Sequence, residues 1–364
     1  MLVRRLWLAD FRNYVETELA FAEGLTVVVG RNGQGKTNLV EAMGYLATLD
    51  SFRGAPNDAL VRAGAERAVV RAEVRHDDGR EILVEAELSR TGRGRVQVNR
   101  QRLTRTRDLL GVLRVSVFAP DDLVLVKGAP SERRRFLDDT AVGLSVRHDA
   151  RRADLDRILR QRTSLLRQAG GRLTPEIALT LDVWDTKLAQ VGEELTAARA
   201  ELVDALAPEV TVAYEQLAGE AMPVSLAYVA PWRTVGLAPA LAAARTDDVR
   251  RAQCTVGPHR DDLEITLRSM PSRTHASQGE QRCLALALRL AAHRLVGEQV
   301  GSPPVLLLDD VFSELDPSRT AALVAHLPGG QAILTTAGEL PPGIAPERVL
   351  TVVDGRFVDG PPRD

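Results

Sequence analysis

Residues 25–42 read LTVVVGRNGQGKTNLVEA. Leu25 to Val29 is a short run of apolar and β-branched residues, the signature of a buried strand. A turn rich in glycine follows, and from Lys36 the composition is that of a helix. Gly30-x4-Gly35-Lys36-Thr37 has the spacing of a phosphate-binding loop, in the strand–loop–helix context that this pattern requires. The glycines let backbone N–H groups face a β-phosphate, and the helix N-terminus adds positive potential. Lys36 is set to reach β- and γ-phosphate oxygens, and Thr37 to offer its hydroxyl to Mg²⁺. The loop therefore predicts ATP and Mg²⁺ as ligands.

A second stretch, Val305-Leu-Leu-Leu-Asp309-Asp310, is a hydrophobic strand ending in paired acids, the Walker B pattern. Asp309 is expected to hold Mg²⁺ with Thr37, and Asp310 to polarise the attacking water. The two motifs lie some 270 positions apart. A compact nucleotide kinase or small GTPase places them much closer, so something large is inserted between two halves of one nucleotide site.

A third stretch, Ser277-Gln278-Gly279-Glu280-Gln281, precedes a nearly all-apolar helix. Ser277-x-x-Glu280 is a capping box. It also aims Ser277, the Gly279 backbone and the helix dipole at a phosphate. A signature-like helix leading into Walker B is the order of ABC ATPases, where the signature completes the site of a second protomer. Ser277 thus joins Lys36 and Asp310 as a catalytic candidate. Thr335-Thr336 stands where such proteins carry a switch histidine, and no convincing Q-loop glutamine is found.

Around these motifs the chain is ordinary in bulk: 364 residues, 45% hydrophobic, 26% charged, net charge −2. No apolar run reaches the ~18 residues of a membrane span. The N-terminus lacks the apolar core of a secretion signal, which places the protein in the cytoplasm. Cys254 and Cys283 have no metal-type spacing. Of 47 basic residues only Lys36, Lys127 and Lys187 are lysines, so lysine at position 36 carries weight: the loop needs a slim point charge there, not a planar fork. Leu19–Val29 reads as one strand, and hairpins are expected around DDGR and NRQ. Ser131–Gln168 and Pro175–Leu217 read as an antiparallel helical arm with its tip near Gly170–Gly171. Clean heptads are not sustained, so no long coiled coil is expected. Residues 1–118 and 255–364 form the two halves of the head, and 119–254 the inserted, mainly helical domain.

LADFRNY (8–14), GRNGQGKTNLVEA (30–42), SFR (51–53), VLVKGAPSERRRFLD (124–138), VGPHRDD (256–262), SQGEQR (277–282) and LLLDDVFSELD (306–316) occur in this order almost end to end. Together they resemble the SMC-like branch of ABC ATPases, and within it the RecF family. The resemblance implies an α/β, ABC/SMC-like P-loop ATPase head with a β-rich N-terminal part and an inserted helical arm. It implies ATP-dependent homodimerisation, sequence-nonspecific DNA binding, and RecO- and RecR-type partners in loading RecA at gapped DNA and blocked forks, in repair, replication and SOS induction. Carried onto this chain, the nucleotide contacts are Gly30, Arg31, Asn32, Gly33, Gln34, Gly35, Lys36, Thr37 and Asn38, with Ser277, Gln278 and Gly279 of the signature. Asp310 stands where most ABC members have Glu; a shorter carboxylate holds water less well, so slow, DNA-dependent turnover is expected.

DNA work needs phosphate contacts, which arginines supply. Arg133, Arg134 and Arg135 form one cluster; Arg100, Arg102 and Arg105 lie in another. Aromatics make up 4% of the chain and rarely interleave with these arginines, so contact with duplex backbone fits better than base stacking. His259-Arg260-Asp261-Asp262 looks like a metal or acid/base cluster, but a lone His with two acids is weak evidence; a positioning role near the nucleotide or the lobe interface is expected instead. A transporter nucleotide-binding subunit and a P-loop kinase are the alternatives; the arm, the arginine clusters and the missing switch histidine oppose the first, and the motif spacing and SQGEQ the second.

Overall fold

The computed structural model describes residues 1–360, the side chain of Thr106 excepted; positions 361–364 of the expected head half lie outside them. The chain forms two compact units. The first contains Met1–Asp122, Val212–Ala221 and Arg282 onward; the second contains Leu123–Thr211 and Met222–Gln281.

Two six-stranded sheets build the first unit. One is antiparallel, in the order Tyr14–Ala20, Leu2–Phe11, Arg67–Arg75, Glu81–Ser89, Arg95–Val98, Gln101–Arg102. Its strands Arg67–Arg75 and Glu81–Ser89 alternate in burial, as expected where one face meets the core. The other runs Arg356–Asp359, Arg348–Val353, Leu25–Val29, Ala332–Thr336, Val305–Asp309, Val115–Phe118, and is parallel except for its terminal hairpin. Val305–Asp309 and Ala332–Thr336 are buried throughout, matching their continuous apolar runs. The helix Lys36–Thr48 contributes Leu39, Val40, Met43 and Leu46 to a core that also holds Leu6, Leu8, Val70 and Leu307.

In the second unit, helix Arg147–Gln168 is joined through a turn with left-handed Gly170 and Gly171 to helix Pro175–Ala218, whose residues from Val212 onward belong to the first unit. The two helices pack antiparallel: Leu166 shares a cluster with Leu181, while Leu155 and Ile158 share one with Leu188 and Leu195. Arg162, wholly buried, bonds Asp185 at 2.6 Å and Asp248 at 2.5 Å. A three-stranded sheet, Met270–Pro271, Asp262–Leu267, Val224–Val229, completes this unit.

Several expectations change. Leu19–Val29 is not one strand. The chain leaves the antiparallel sheet at Ala20 and enters the parallel sheet at Leu25, with a turn at Glu23–Gly24 between them. The helical stretch 131–168 is two helices, broken at Ser145–Val146. The strand Val115–Phe118 and the helix Leu237–Arg251 were not foreseen. Residues 255–281, expected in the head, cluster with the second unit because Asp262–Leu267 pairs with Val224–Val229. Among the described residues no helix is long and apolar enough to cross a membrane.

Candidate nucleotide site

The parallel register sets the site. Thr335 lies opposite both Asp309 and Val28, at the carboxyl ends of three adjacent strands, where open α/β sheets bind ligands. Thr37 Oγ1 donates to Asp309 Oδ1 at 3.1 Å, and Thr335 Oγ1 donates to the same oxygen at 2.7 Å. The backbone N–H of Asp310 donates to Thr335 Oγ1 at 3.1 Å. Gly30 N–H donates to Thr336 O at 3.2 Å. Phosphate loop and paired acids are thus one hydrogen-bonded assembly. Burial pushes the Asp309 carboxyl above the usual range; the hydroxyls of Thr335 and Thr37 oppose this, and Asp310 adds to it.

The loop itself is strapped from behind. Gly35 has φ +113°, and a Cβ there would come within 2.6 Å of Asn13 Nδ2 and 2.9 Å of the Tyr14 hydroxyl. Tyr14 OH donates to Gly35 O at 2.9 Å, Asn13 Nδ2 to Gln34 O at 3.1 Å, and Asn38 Nδ2 to Asn13 Oδ1 at 2.8 Å. The Gln34 side chain accepts from Asp354 N–H. Lys36 Nζ donates to Gly30 O at 2.7 Å and Arg31 O at 3.0 Å. Burial lowers the Lys36 pKa against the fields of Asp310 and Asp309. Arg31, Asn32 and Gly33 are exposed on the crest.

These features fit a nucleotide phosphate chain: an ammonium held only by loop carbonyls, inside a curve too tight for a Cβ at Gly35. The Asp309 carboxylate beside the Thr37 hydroxyl supplies the hard oxygen donors that Mg²⁺ prefers. Next to the loop lies a cavity of about 510 Å³ lined by Arg12, Asn13, Asn38, Asp58 and Arg90, among others. Arg12 is a bidentate clamp on buried Glu41 at 2.8 Å for each bond, and Glu41 also accepts from Ser51 at 2.6 Å.

Ser277, Gln278 and Gly279 belong to the second unit, at the start of the helix Gln278–Val300. The capping box is reciprocal: Ser277 N–H donates to Glu280 Oε2 at 2.6 Å and Glu280 N–H to Ser277 Oγ at 3.3 Å. Burial pushes the Glu280 carboxyl up, but these bonds and Arg268 together hold it below its ordinary value. Ser277 and Gln278 are exposed.

The arginine clusters divide. Arg133 is buried and grips Asp262 through two 2.8 Å bonds, with a third to Gly128 O at 3.0 Å. Arg134 donates to Asp261 O at 2.6 Å, and Arg135 lies 3.7 Å from Asp139. Arg133 is therefore turned to internal partners, Arg134 is half-buried on a backbone carbonyl, and Arg135 stays part exposed beside a surface carboxylate. Arg100, Arg102 and Arg105 are exposed near the free edge of the antiparallel sheet. Asn99 and Arg100 both have positive φ, as in a type I′ hairpin turn, with Arg100 where glycine is usual. In 259–262 the acids are committed. Asp261 accepts from Trp232 Nε1 at 2.8 Å, the Tyr228 hydroxyl at 2.9 Å and the Thr196 hydroxyl at 3.1 Å, and Asp262 holds Arg133. This segment ties the second unit together.

Sequence reasoning did not assign Asn13 and Tyr14 to the loop. The FRNY stretch carried that signal, but only folding brings a strand hairpin behind Gly35. Thr335 was named only as a stand-in for a switch histidine; its hydroxyl in fact anchors both Walker acids.

Fold and site define a P-loop ATPase head of the ABC/SMC type. A model of the RecF/RecN/SMC N terminal domain matches residues 2–336. The chain is 45% identical to the DNA replication and repair protein RecF of Streptomyces avermitilis, over 98% of this chain and 99% of that protein. A solved RecF bound to ATPrS, described as the recombination mediator protein of the RecFOR pathway, superposes with a TM-score of 0.90 at 29% identity, covering 98% of both chains. A solved Smc head bound to the C-winged helix domain of ScpA shares the fold alone, with a TM-score of 0.60 at 18% identity, covering 99% of this chain and 97% of that one. The chain belongs to the RecF family of the RecF/RecN/SMC class.

Proposed function

We propose that this protein is an ATP-gated DNA-binding switch of recombinational repair. Two chains close on ATP around gapped or duplex DNA, and slow hydrolysis releases them. It acts in the cytoplasm with RecO- and RecR-type partners to aid RecA loading, replication restart and SOS induction. The observation that carries this reading is the assembly joining Thr37, Asp309 and Thr335 beneath the phosphate loop, in a chain similar to RecF solved with ATP.

Each residue has a task. The loop amides of Gly30 to Gly35 and the Lys36 ammonium bind and orient the β- and γ-phosphates. Lys36 leaves its loop carbonyls for the phosphate, an anion that a partly desolvated ammonium favours. Thr37 and Asp309 would hold Mg²⁺, which would supply positive charge against the developing phosphate charge. Asp310 polarises the attacking water. Ser277, Gln278 and Gly279 of the second chain present a capped helix N-terminus to the γ-phosphate, so binding ATP and joining two chains become one event. Exposed arginines at the sheet edge meet backbone phosphates without reading sequence.

A complementation assay tests the composite site. Lys36→Ala disables a phosphate loop and Ser277→Arg disables a signature. Each variant alone should be inactive as an ATPase. Mixing them creates one site with an intact loop from one chain and an intact signature from the other, so ATPase activity should return. No recovery at any ratio would place the signature's action within its own chain, or nowhere.

A further inference from the structure

The second unit contains a concave site that none of the functions above uses. Its cavity, about 460 Å³, lies between the helix Arg147–Gln168 and the segment that follows the helix Leu237–Arg251. Three arginines line it, Arg167, Arg251 and Arg260, with Thr163, Gln253 and His259, and no Asp or Glu does. Among the described residues no carboxylate pairs with any of the three arginines, although most arginines of this chain are paired.

The walls are held in place. Asp248 is wholly buried; it binds Arg162 and accepts from Thr255 N–H at 2.9 Å, fixing the start of the 252–260 segment. The Cys254 carbonyl oxygen accepts from Arg260 Nε at 3.1 Å and Nη2 at 2.9 Å. It also receives His259 Nε2 at 3.0 Å. A carbonyl only accepts, so Nε2 carries a proton; burial holds the His259 pKa down at about 4, which leaves the ring neutral near pH 7, and its enclosed Nδ1 has no partner among the described residues. Arg260 keeps the Nη1 end of its fork unspent. Arg167 and Arg251 are exposed.

Like charges gathered in a concavity repel one another, and a cleft of one sign concentrates counter-ions. Guanidinium forks match the oxygens of phosphate better than any other side chain. The volume is in the range of small-ligand sites and too small for a duplex to enter. We propose that this pocket is a second anion site that takes one phosphate group, held by Arg167, Arg251 and Arg260. The group comes either from a free phosphate compound or from a backbone phosphate of DNA lying over the second unit.

Amide hydrogen exchange of the full-length protein distinguishes these sources. It is followed on peptides spanning 159–168 and 251–260, with inorganic pyrophosphate in one arm and a blunt DNA duplex in the other. The phosphate loop also takes pyrophosphate, but its protection appears in separate peptides around 30–40. At ten times its Kd, pyrophosphate should slow exchange at 251–260 about ten-fold. Slowing by pyrophosphate identifies a free phosphate ligand, and this arm does not depend on the DNA-binding reading. Slowing by duplex alone identifies the backbone. Arg167→Glu with Arg251→Glu should abolish the effect, Arg167→Ala with Arg251→Ala should weaken it, and the paired lysine variants should retain part of it. No change at 251–260 in either arm, or equal protection in the charge-reversed variant, would overturn the proposal.

Discussion

Thr335 shows how much one hydroxyl decides at the nucleotide site. It donates to Asp309 and accepts from the backbone of Asp310, so it fixes both Walker acids. Thr335→Val keeps the shape and removes both bonds. A hydrogen bond to a charged group contributes about 1.5–3 kcal/mol, so Mg²⁺-dependent ATP affinity should fall about ten-fold or more. Nucleotide affinity without Mg²⁺ should change little, and titration with a fluorescent nucleotide separates the two. The Asp309 carboxyl is already raised by burial, and this variant raises it further. Mg²⁺-dependent binding should therefore fail at a higher pH than in the wild type as acid is added. His293 provides a second test. It is buried, both ring nitrogens lack partners, and burial holds its pKa down at about 4 from 6.5. The unfolded chain binds the proton first. This contribution to stability is therefore full above pH 6.5 and lost as pH falls toward 4. Between pH 7 and pH 5 it amounts to about 2 kcal/mol. Urea unfolding at both pH values should show His293→Leu losing less stability than the wild type; equal losses would mean the ring does not titrate this way.

At the scale of elements, the loop is a tight turn held by its neighbours. Gly35→Ala forces a side chain into positive φ and against Asn13 and Tyr14. Nucleotide affinity should drop by more than ten-fold, and wild-type affinity would show that the strap is soft. The strand–loop–helix unit was legible in the sequence because all its signals are local: an apolar run, glycines at fixed offsets, and a helix start. The same holds for VLLLDD and for the Ser277 capping box. Sheet order was not legible. Val115–Phe118 has strand-forming residues, but four of them are too few to fix an assignment, and its place beside Val305–Asp309 is set by the fold. The helix Leu237–Arg251 carries Pro239 in its first turn, where an N–H has no intrahelical acceptor to lose, so the helix tolerates it although a breaker rule hides it. Three consecutive arginines looked like a DNA patch, yet Arg133 is consumed by Asp262, 129 positions away. Burial of a charge depends on such distant partners, and one sequence does not display them.

For the molecule as a whole, the two proposed couplings are to DNA and to a second chain. Arg100, Arg102 and Arg105 are exposed, whereas Arg133 is buried. Reversing all three charges should weaken duplex binding and lower the slope of log affinity against log salt by about one per lost phosphate contact. Anisotropy titrations across salt measure it, and an unchanged slope would remove this edge from the interface. The central claim is that ATP joins two chains. The most direct measurement is the molar mass of the purified protein by light scattering, without nucleotide and with ATP and Mg²⁺, for wild type and Ser277→Arg. The composite site predicts a monomer without nucleotide, a dimer with it, and a Ser277→Arg protein that binds ATP yet stays monomeric. A wild-type protein that remains monomeric when saturated with ATP and Mg²⁺, or a Ser277→Arg protein that dimerises normally, would contradict it.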